Sequence, residues 1–205
     1  MLAQVLYDLG HACATQCRYE QAENALVQSL TLAQDLNDPF LVMHATARLG
    51  ICATYQGDAA RALPLLQTSL TWMRQQGDIQ YGAVLTSNLG NVLTRLGDLV
   101  GAEAVYDETL IQVGYIRGRA VYPVGGMAIV ALARGEVARA AQIVGALEAY
   151  QIPLLPAVRP LYDALVVQVH AYLKLPEVRS AWERGQQMEL EALVAYARRQ
   201  DTQPI

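Results

Sequence analysis

No apolar run in this chain approaches the roughly eighteen residues that a membrane-spanning helix needs. The amino end, MLAQVLYDLGHACATQ, has neither a basic n-region nor a small-residue cleavage site. A transmembrane segment and a secretory signal are therefore not expected. Cysteine is scarce: the three present, Cys13, Cys17 and Cys52, stand at helical positions and make no disulfide framework. Charge is scarce too. Only 17% of residues are Asp, Glu, Lys or Arg, and the balance is acidic, −4 with a pI near 5.3. A nucleic-acid surface normally shows a basic stripe. Here arginines cluster only as Arg117 with Arg119 and Arg198 with Arg199, too thinly to follow a phosphate backbone. No G-x-x-x-x-G-K-[ST] loop occurs, which excludes nucleotide hydrolysis by that route. No helix-turn-helix with a basic recognition helix follows the tail. These absences point to a cytoplasmic protein with no direct nucleic-acid contact and no membrane contact.

What is present is apolar and small. Hydrophobic residues make up 53% of the chain, mostly Ala, Leu and Val with a single Phe, a mix that suits closely packed helices better than a β-sandwich. At 205 residues the chain can bury a substantial core. A pattern then emerges with a period of forty: Leu9-Gly10, Leu49-Gly50 and Leu89-Gly90. Twelve residues past each glycine stands an alanine, Ala22, Ala62 and Ala102, and Ser29-Leu30, Ser69-Leu70 and Thr109-Leu110 close each unit. Gly57-Asp58 and Gly97-Asp98 mark a turn inside the unit, where the first unit has Cys17-Arg18. A weaker fourth copy has Met127-Ala128, Gly135-Glu136 and Ala140. Fixed periods of this length signal stacked repeats.

Each unit reads as two helices. In LTSNLGNVLTRLGD, the apolar residues Leu85, Leu89, Val92, Leu93 and Leu96 keep a 3.6-residue stripe. Glycine inside a helix costs about 1 kcal/mol relative to alanine, so its return implies a close helix crossing with the later alanine as small partner. Gly-Asp then ends one helix and caps the next, and Pro39 opens the second unit at a helix start. The expected fold is all-α, with four helical hairpins at about 1–37, 38–77, 78–117 and 118–150. A Pro-rich linker follows at 151–160 and a capping helical segment at 161–205. The linker, QIPLLPAVRP, carries three prolines and cannot be continuous helix.

The Leu-Gly pair, the small residue at the crossing and the later alanine resemble the tetratricopeptide repeat (TPR) family. That resemblance implies a right-handed α-solenoid. The family's usual unit has thirty-four residues; the period here is longer, and the usual early tryptophan and closing proline are absent. The carboxy-terminal third adds GMAIVALARGEVARAAQIVGALEAY, then Pro153-Leu154, Tyr162-Asp163 and AWERGQQMELEALVAYAR. In this order it resembles the closing region of the helical arm of bacterial STAND-type signal-transduction ATPases, with LuxR- or SARP-like outputs. Trp182, Gly185, Leu190 and Ala195-Tyr196-Ala197 stand in register with that tail, whereas Glu189 replaces its usual Ser or Thr cap. The resemblance implies a protein-interaction or ligand-sensing arm in transcription regulation or signal transduction. Its partner would be a protein, a peptide or a small-molecule inducer. The alternative is a free-standing adaptor that scaffolds protein partners. The array begins within a first helix with no polar cap, so Met1 is not expected to be the start of the parent protein, and the uncapped first hairpin is expected to self-associate.

The chemistry-bearing residues converge on no motif. Cys13 and Cys17 lie four apart with His11 nearby, but buried cysteine packs as a small hydrophobe, and a soft-metal site needs about four convergent ligands. Metal ligands, cofactors and catalytic residues are therefore expected to be none. His11, His44 and His170 are scattered, and Glu20 with Glu23 and Glu189 with Glu191 read as solvated faces near helix starts. By the family register, the first helices line a concave groove with Tyr7, His11, His44, Arg48, Tyr55, Asn88, Asn91 and Arg95. Asn88 and Asn91 match positions at which peptide-binding members present asparagine to a ligand, but the lysines of their carboxylate clamp are absent. Arg48, Asn91 and Arg95 supply donors, and Tyr55 a flat apolar face.

Overall fold

The computed structural model describes residues 1–114, 117–151, 154, 156 and 158–199. The described residues form eleven helices and no strand. Two compact bodies divide the chain at the Leu96–Gly97 bond, inside the third expected hairpin.

The first body holds α1 (Leu2–Thr15), α2 (Tyr19–Asp35), α3 (Pro39–Gln56), α4 (Ala59–Gln76) and α5 (Ile79–Arg95). Each helix packs on the next, and α1, α3 and α5 also touch in sequence, so these three share one side. Turn chemistry explains the punctuation. Positive φ recurs at Cys17, Asn37, Gly57, Gly77 and Gly97, a spacing of twenty. The period of forty in the sequence is thus two turns of one design. After each turn the next residue starts a helix. Asp38, Asp58 and Asp78 each accept a hydrogen bond from the backbone N–H three residues on, at 3.0, 3.1 and 3.0 Å. The backbone N–H groups of these same aspartates donate to Ala33, Ala53 and Met73, closing the carbonyl end of the preceding helix. Pro39 occupies the first turn of α3, where a missing N–H costs nothing.

The seams follow the sequence pattern. Ala22 and Ala62 are fully buried. A Cβ placed on Gly10 would lie 2.6 Å from Leu26 Cγ and 3.1 Å from the Ala22 carbonyl oxygen, and one on Gly50 would meet Leu66 and Leu65 at 3.0–3.1 Å. The glycine's main neighbour is therefore a leucine four residues past the alanine. Ser29 and Ser69 are buried, and their hydroxyls donate across the hairpin to the carbonyls of Ala3 (2.7 Å) and Met43 (3.4 Å), positions forty apart. Pro64 lies inside α4, a helix that continues beyond it.

The second body holds α6 (Leu99–Val113), α7 (Arg117–Ala133), α8 (Val137–Tyr150), α9 (Arg159–His170), α10 (Pro176–Gln186) and α11 (Leu190–Ala197). Helix α9 begins inside the expected linker, whose residues 152, 153, 155 and 157 lie outside the described residues, as do 200–205 at the end of the expected cap. Helices α6, α7 and α8 pack consecutively, and α9, α10 and α11 all pack on α8. The crossing of α8 with α10 is glycine on glycine. A Cβ on Gly145 would strike the Trp182 carbonyl oxygen, and one on Gly185 the Gln142 carbonyl oxygen. Leu193, Val194 and Ala197 are buried. The last turn is strapped down by charge: Arg198 pairs with Asp107 at 2.6 Å and Arg199 with Glu103 and Glu136 at 2.9 and 2.6 Å. The arginine pair of the tail is thus occupied internally. Glu189 stands before α11 with no side-chain cap hydrogen bond.

Candidate functional site

Four of the expected groove residues come together on the side shared by α1, α3 and α5. Tyr7 and His11 are one turn apart on α1, and His44 and Arg48 one turn apart on α3. The ring of Tyr7 lies 6.4 Å from His11 and 6.2 Å from His44. Three further residues join them that sequence reasoning missed. Phe40 is one turn before His44, with ring centroids 4.3 Å apart; Tyr81, at the start of α5, stacks on His44 at 4.9 Å; and Trp72 of α4 meets Phe40 edge-on at 5.6 Å. The 40-44-48 spacing was the available signal, since it puts Phe40 on the face of His44 and Arg48. Trp72 and Tyr81 come from other helices, and no local spacing announces them.

The ring contacts converge on His44, and one turn on, Arg48 lies with its guanidinium carbon 5.8 Å from the Tyr81 ring centroid. Its charge reaches several neighbours. Burial pushes the His11 pKa below its ordinary 6.5, and the Arg48 charge adds to this while Asp8 opposes it. His44 is likewise lowered, first by burial and then by Arg48, with Asp78 acting in the opposite direction. Burial raises Tyr81, and it raises Cys52 to about 11. At neutral pH both imidazoles of the cluster and the Tyr81 phenol are therefore uncharged, and Arg48 supplies its positive charge.

The cluster is also where hydrogen bonding is incomplete. His44 Nε2 and Arg48 Nε are each buried without a partner, and the buried Tyr81 Oη faces the Tyr7 hydroxyl without a well-formed hydrogen bond. Buried polar atoms are nearly always satisfied, and exceptions concentrate where a ligand, water or function completes them. Among the described residues two such atoms lie elsewhere, Asn88 Oδ1 on α5 and Arg139 Nε in the second body, but Arg139 also donates to the Ala197 carbonyl at 2.7 Å and lies 3.6 Å from Glu136. Glu148 accepts from Trp182 Nε1 at 2.6 Å and faces His170 Nε2 at 3.1 Å, and the Tyr150 hydroxyl donates to the Met188 carbonyl at 2.7 Å. Those groups hold the tail on α8.

The remaining expected residues lie elsewhere. Tyr55 stacks on Tyr19 at 6.3 Å, at the other end of α3. Asn88, expected to present its amide outward, is instead buried and donates to the Val84 carbonyl of its own helix at 2.8 Å, the back-bonding that polar side chains adopt inside helices. Asn91 is half-buried and Arg95 exposed. Cys13 and Cys52 are buried and Cys17 is exposed in its turn. Among the described residues no three His, Cys, Asp or Glu side chains are placed to hold a metal ion, and no helix is long and apolar enough to cross a membrane. No protein-family model matches the chain, and no curated protein matches it at a significant level.

Proposed function

We propose that this chain is a non-catalytic binding module, a tetratricopeptide-like right-handed solenoid arm that recognises its partner on the side shared by α1, α3 and α5. The observation that carries this reading is the cluster around Arg48. A half-buried cation, buried polar atoms of His44 and Arg48 without partners and a wall of rings lie together on one face. That is a poor way to stabilise a core and a good way to hold a ligand. The partner is a protein, a peptide or a small-molecule inducer, and the compartment is the cytoplasm.

The resemblance of the tail to the arms of STAND-type ATPases extends the proposal. In that setting the module would be the carboxy-terminal arm of a bacterial transcriptional or signalling regulator, and binding would act on an attached ATPase switch. Reading the coding DNA upstream of Met1 in frame tests this extension. Further helical repeats preceded by a phosphate-binding loop are the expected result. A stop codon with a ribosome-binding site directly before Met1 would overturn it, and the module would then be a free-standing adaptor.

A further inference from the structure

We propose that the Arg48 cluster binds a small aromatic monocarboxylate, with the carboxylate on the Arg48 guanidinium and the ring against Phe40, His44 and Trp72. This inference rests on the reading of that side as a binding surface and names the chemistry it takes.

The charge of the ligand follows from the state of Arg48. Among the described residues, the half-buried arginines of the second body lie against carboxylates: Arg134 with Glu103 at 2.5 Å, Arg139 with Glu136 at 3.6 Å, and Arg198 with Asp107 at 2.6 Å. Arg48 has no such partner among the described residues; what it touches is the face of Tyr81. An unpaired guanidinium in a partly desolvated site is costly, and an arriving carboxylate would remove that cost. The planar fork of arginine also matches a planar carboxylate in two parallel hydrogen bonds.

The number of charges is bounded by the surroundings. Asp8 and Asp78 are the carboxylates whose charge reaches the two histidines. Both are held in other hydrogen bonds: Asp8 accepts from Gln4 at 3.0 Å, and Asp78 accepts from the Tyr81 backbone N–H at 3.0 Å. They do not neutralise Arg48 by direct pairing. His11 and His44, neutral at this pH, offer no further cation. Asp8 is exposed and its charge is screened by solvent, so direct pairing with Arg48 can hold one negative charge, whereas phosphates, dicarboxylates and nucleotides would bring more than the site can pair.

The shape of the ligand follows from the rings. Phe40 is 58% exposed although its ring contacts both His44 and Trp72. Such an arrangement leaves a flat apolar edge open about 12 Å along α3 from Arg48, two helical turns away on the same face, a separation that a two-ring aromatic acid can span. His44 Nε2 stands behind that edge without a partner and Tyr81 Oη without a well-formed hydrogen bond, and both would be completed when the rings adjust to the ligand.

The test is calorimetric titration of the full chain at neutral pH with naphthalene-2-carboxylate and with naphthalene-2-carboxamide, which has the same ring and no charge. The acid is expected to bind about tenfold or more tighter than the amide, equivalent to about 1.4 kcal/mol. In Arg48→Gln the preference should vanish. An acetylated tetrapeptide ending in phenylalanine, with a free or an amidated carboxy terminus, separates a free small molecule from the same chemistry at a chain end. It is expected to bind more weakly than the naphthoate. Equal binding of acid and amide, no binding of either, a preference that survives Arg48→Gln, or tighter binding of the peptide acid would each overturn the inference. The acid–amide comparison on the unaltered chain stands even if the variant fails to fold. The wider reading of this side as a binding surface is decided separately, by whether Arg48 is dispensable for stability.

Discussion

Gly10 and Gly50 occupy corresponding positions forty residues apart, yet a methyl group at each meets different resistance. At Gly10 the added carbon would lie 2.6 Å from Cγ of the fully buried Leu26, a branch point that cannot swing away. At Gly50 the closest approaches are 3.0 Å to a terminal methyl of Leu66 and 3.1 Å to Leu66 Cγ and Leu65 Cβ, so a shift of a few tenths of an ångström makes room. Overpacking costs about 1–3 kcal/mol, and replacing a helical glycine by alanine returns about 1 kcal/mol. Gly10→Ala should therefore destabilise by about 1–2 kcal/mol in urea denaturation while Gly50→Ala stays near neutral. Equal effects would mean that the two seams are not packed as described. The histidines make a second residue-scale prediction. Burial, helped by Arg48, lowers His11 and His44 in the folded chain, so the unfolded chain binds protons more readily. Their contribution to stability is complete above the ordinary 6.5 and declines as pH falls through it. Their imidazole resonances should titrate below that value, and the acid-side loss of stability should shrink in the double variant His11→Gln, His44→Gln. An unchanged slope in that variant would refute the assignment.

At the scale of elements, the turn rather than the helix is the most repeated object. A left-handed residue followed by a capping aspartate was legible in the sequence at Gly57-Asp58 and Gly97-Asp98. Of the intervening turns, Asn37-Asp38 is hidden because asparagine tolerates the left-handed conformation in the glycine place, whereas Gly77-Asp78 carries the same pair and escapes the pattern because it falls between the forty-residue copies. Pro64 and Pro123 were opaque for the opposite reason. Proline usually breaks a helix, yet α4 and α7 run on past them, tertiary packing overriding a local preference. In the tail, Gly185 stands against backbone atoms that cannot retreat. Gly185→Ala should cost about 2–3 kcal/mol and loosen α10 from α8, read from Trp182 fluorescence in a Trp72→Phe background; an unchanged unfolding midpoint would contradict that crossing. On α1, Leu2, Val5 and Leu9 are exposed. The residues forty further on, Val42, Ala45 and Leu49, lie on α3, which packs against α2, with Ala45 and Leu49 buried. The expectation that this open face meets a second copy predicts self-association that Val5→Glu abolishes, measured by sedimentation. A chain that sediments as a monomer at all concentrations would remove it.

For the molecule as a whole, the all-helical class and the hairpin seams were readable because they depend on local spacing and small residues. The site was only half readable. Tyr7, His11, His44 and Arg48 could be named from their place on first helices, but Asn88 turned inward to its own backbone. Tyr81 and Trp72 arrived through packing between helices that no single stretch encodes. The proposed binding surface stands or falls on Arg48 being present for a ligand and not for the fold. The equilibrium unfolding free energy of Arg48→Met at neutral pH, compared with the unaltered chain, tests it directly. Methionine keeps much of the apolar stem and deletes the unpaired charge, so the account predicts stability equal to or greater than that of the parent, as expected where function is retained at the expense of stability. A loss of about 2 kcal/mol or more would show that the guanidinium holds the first body together, and the binding surface proposed around it would fall.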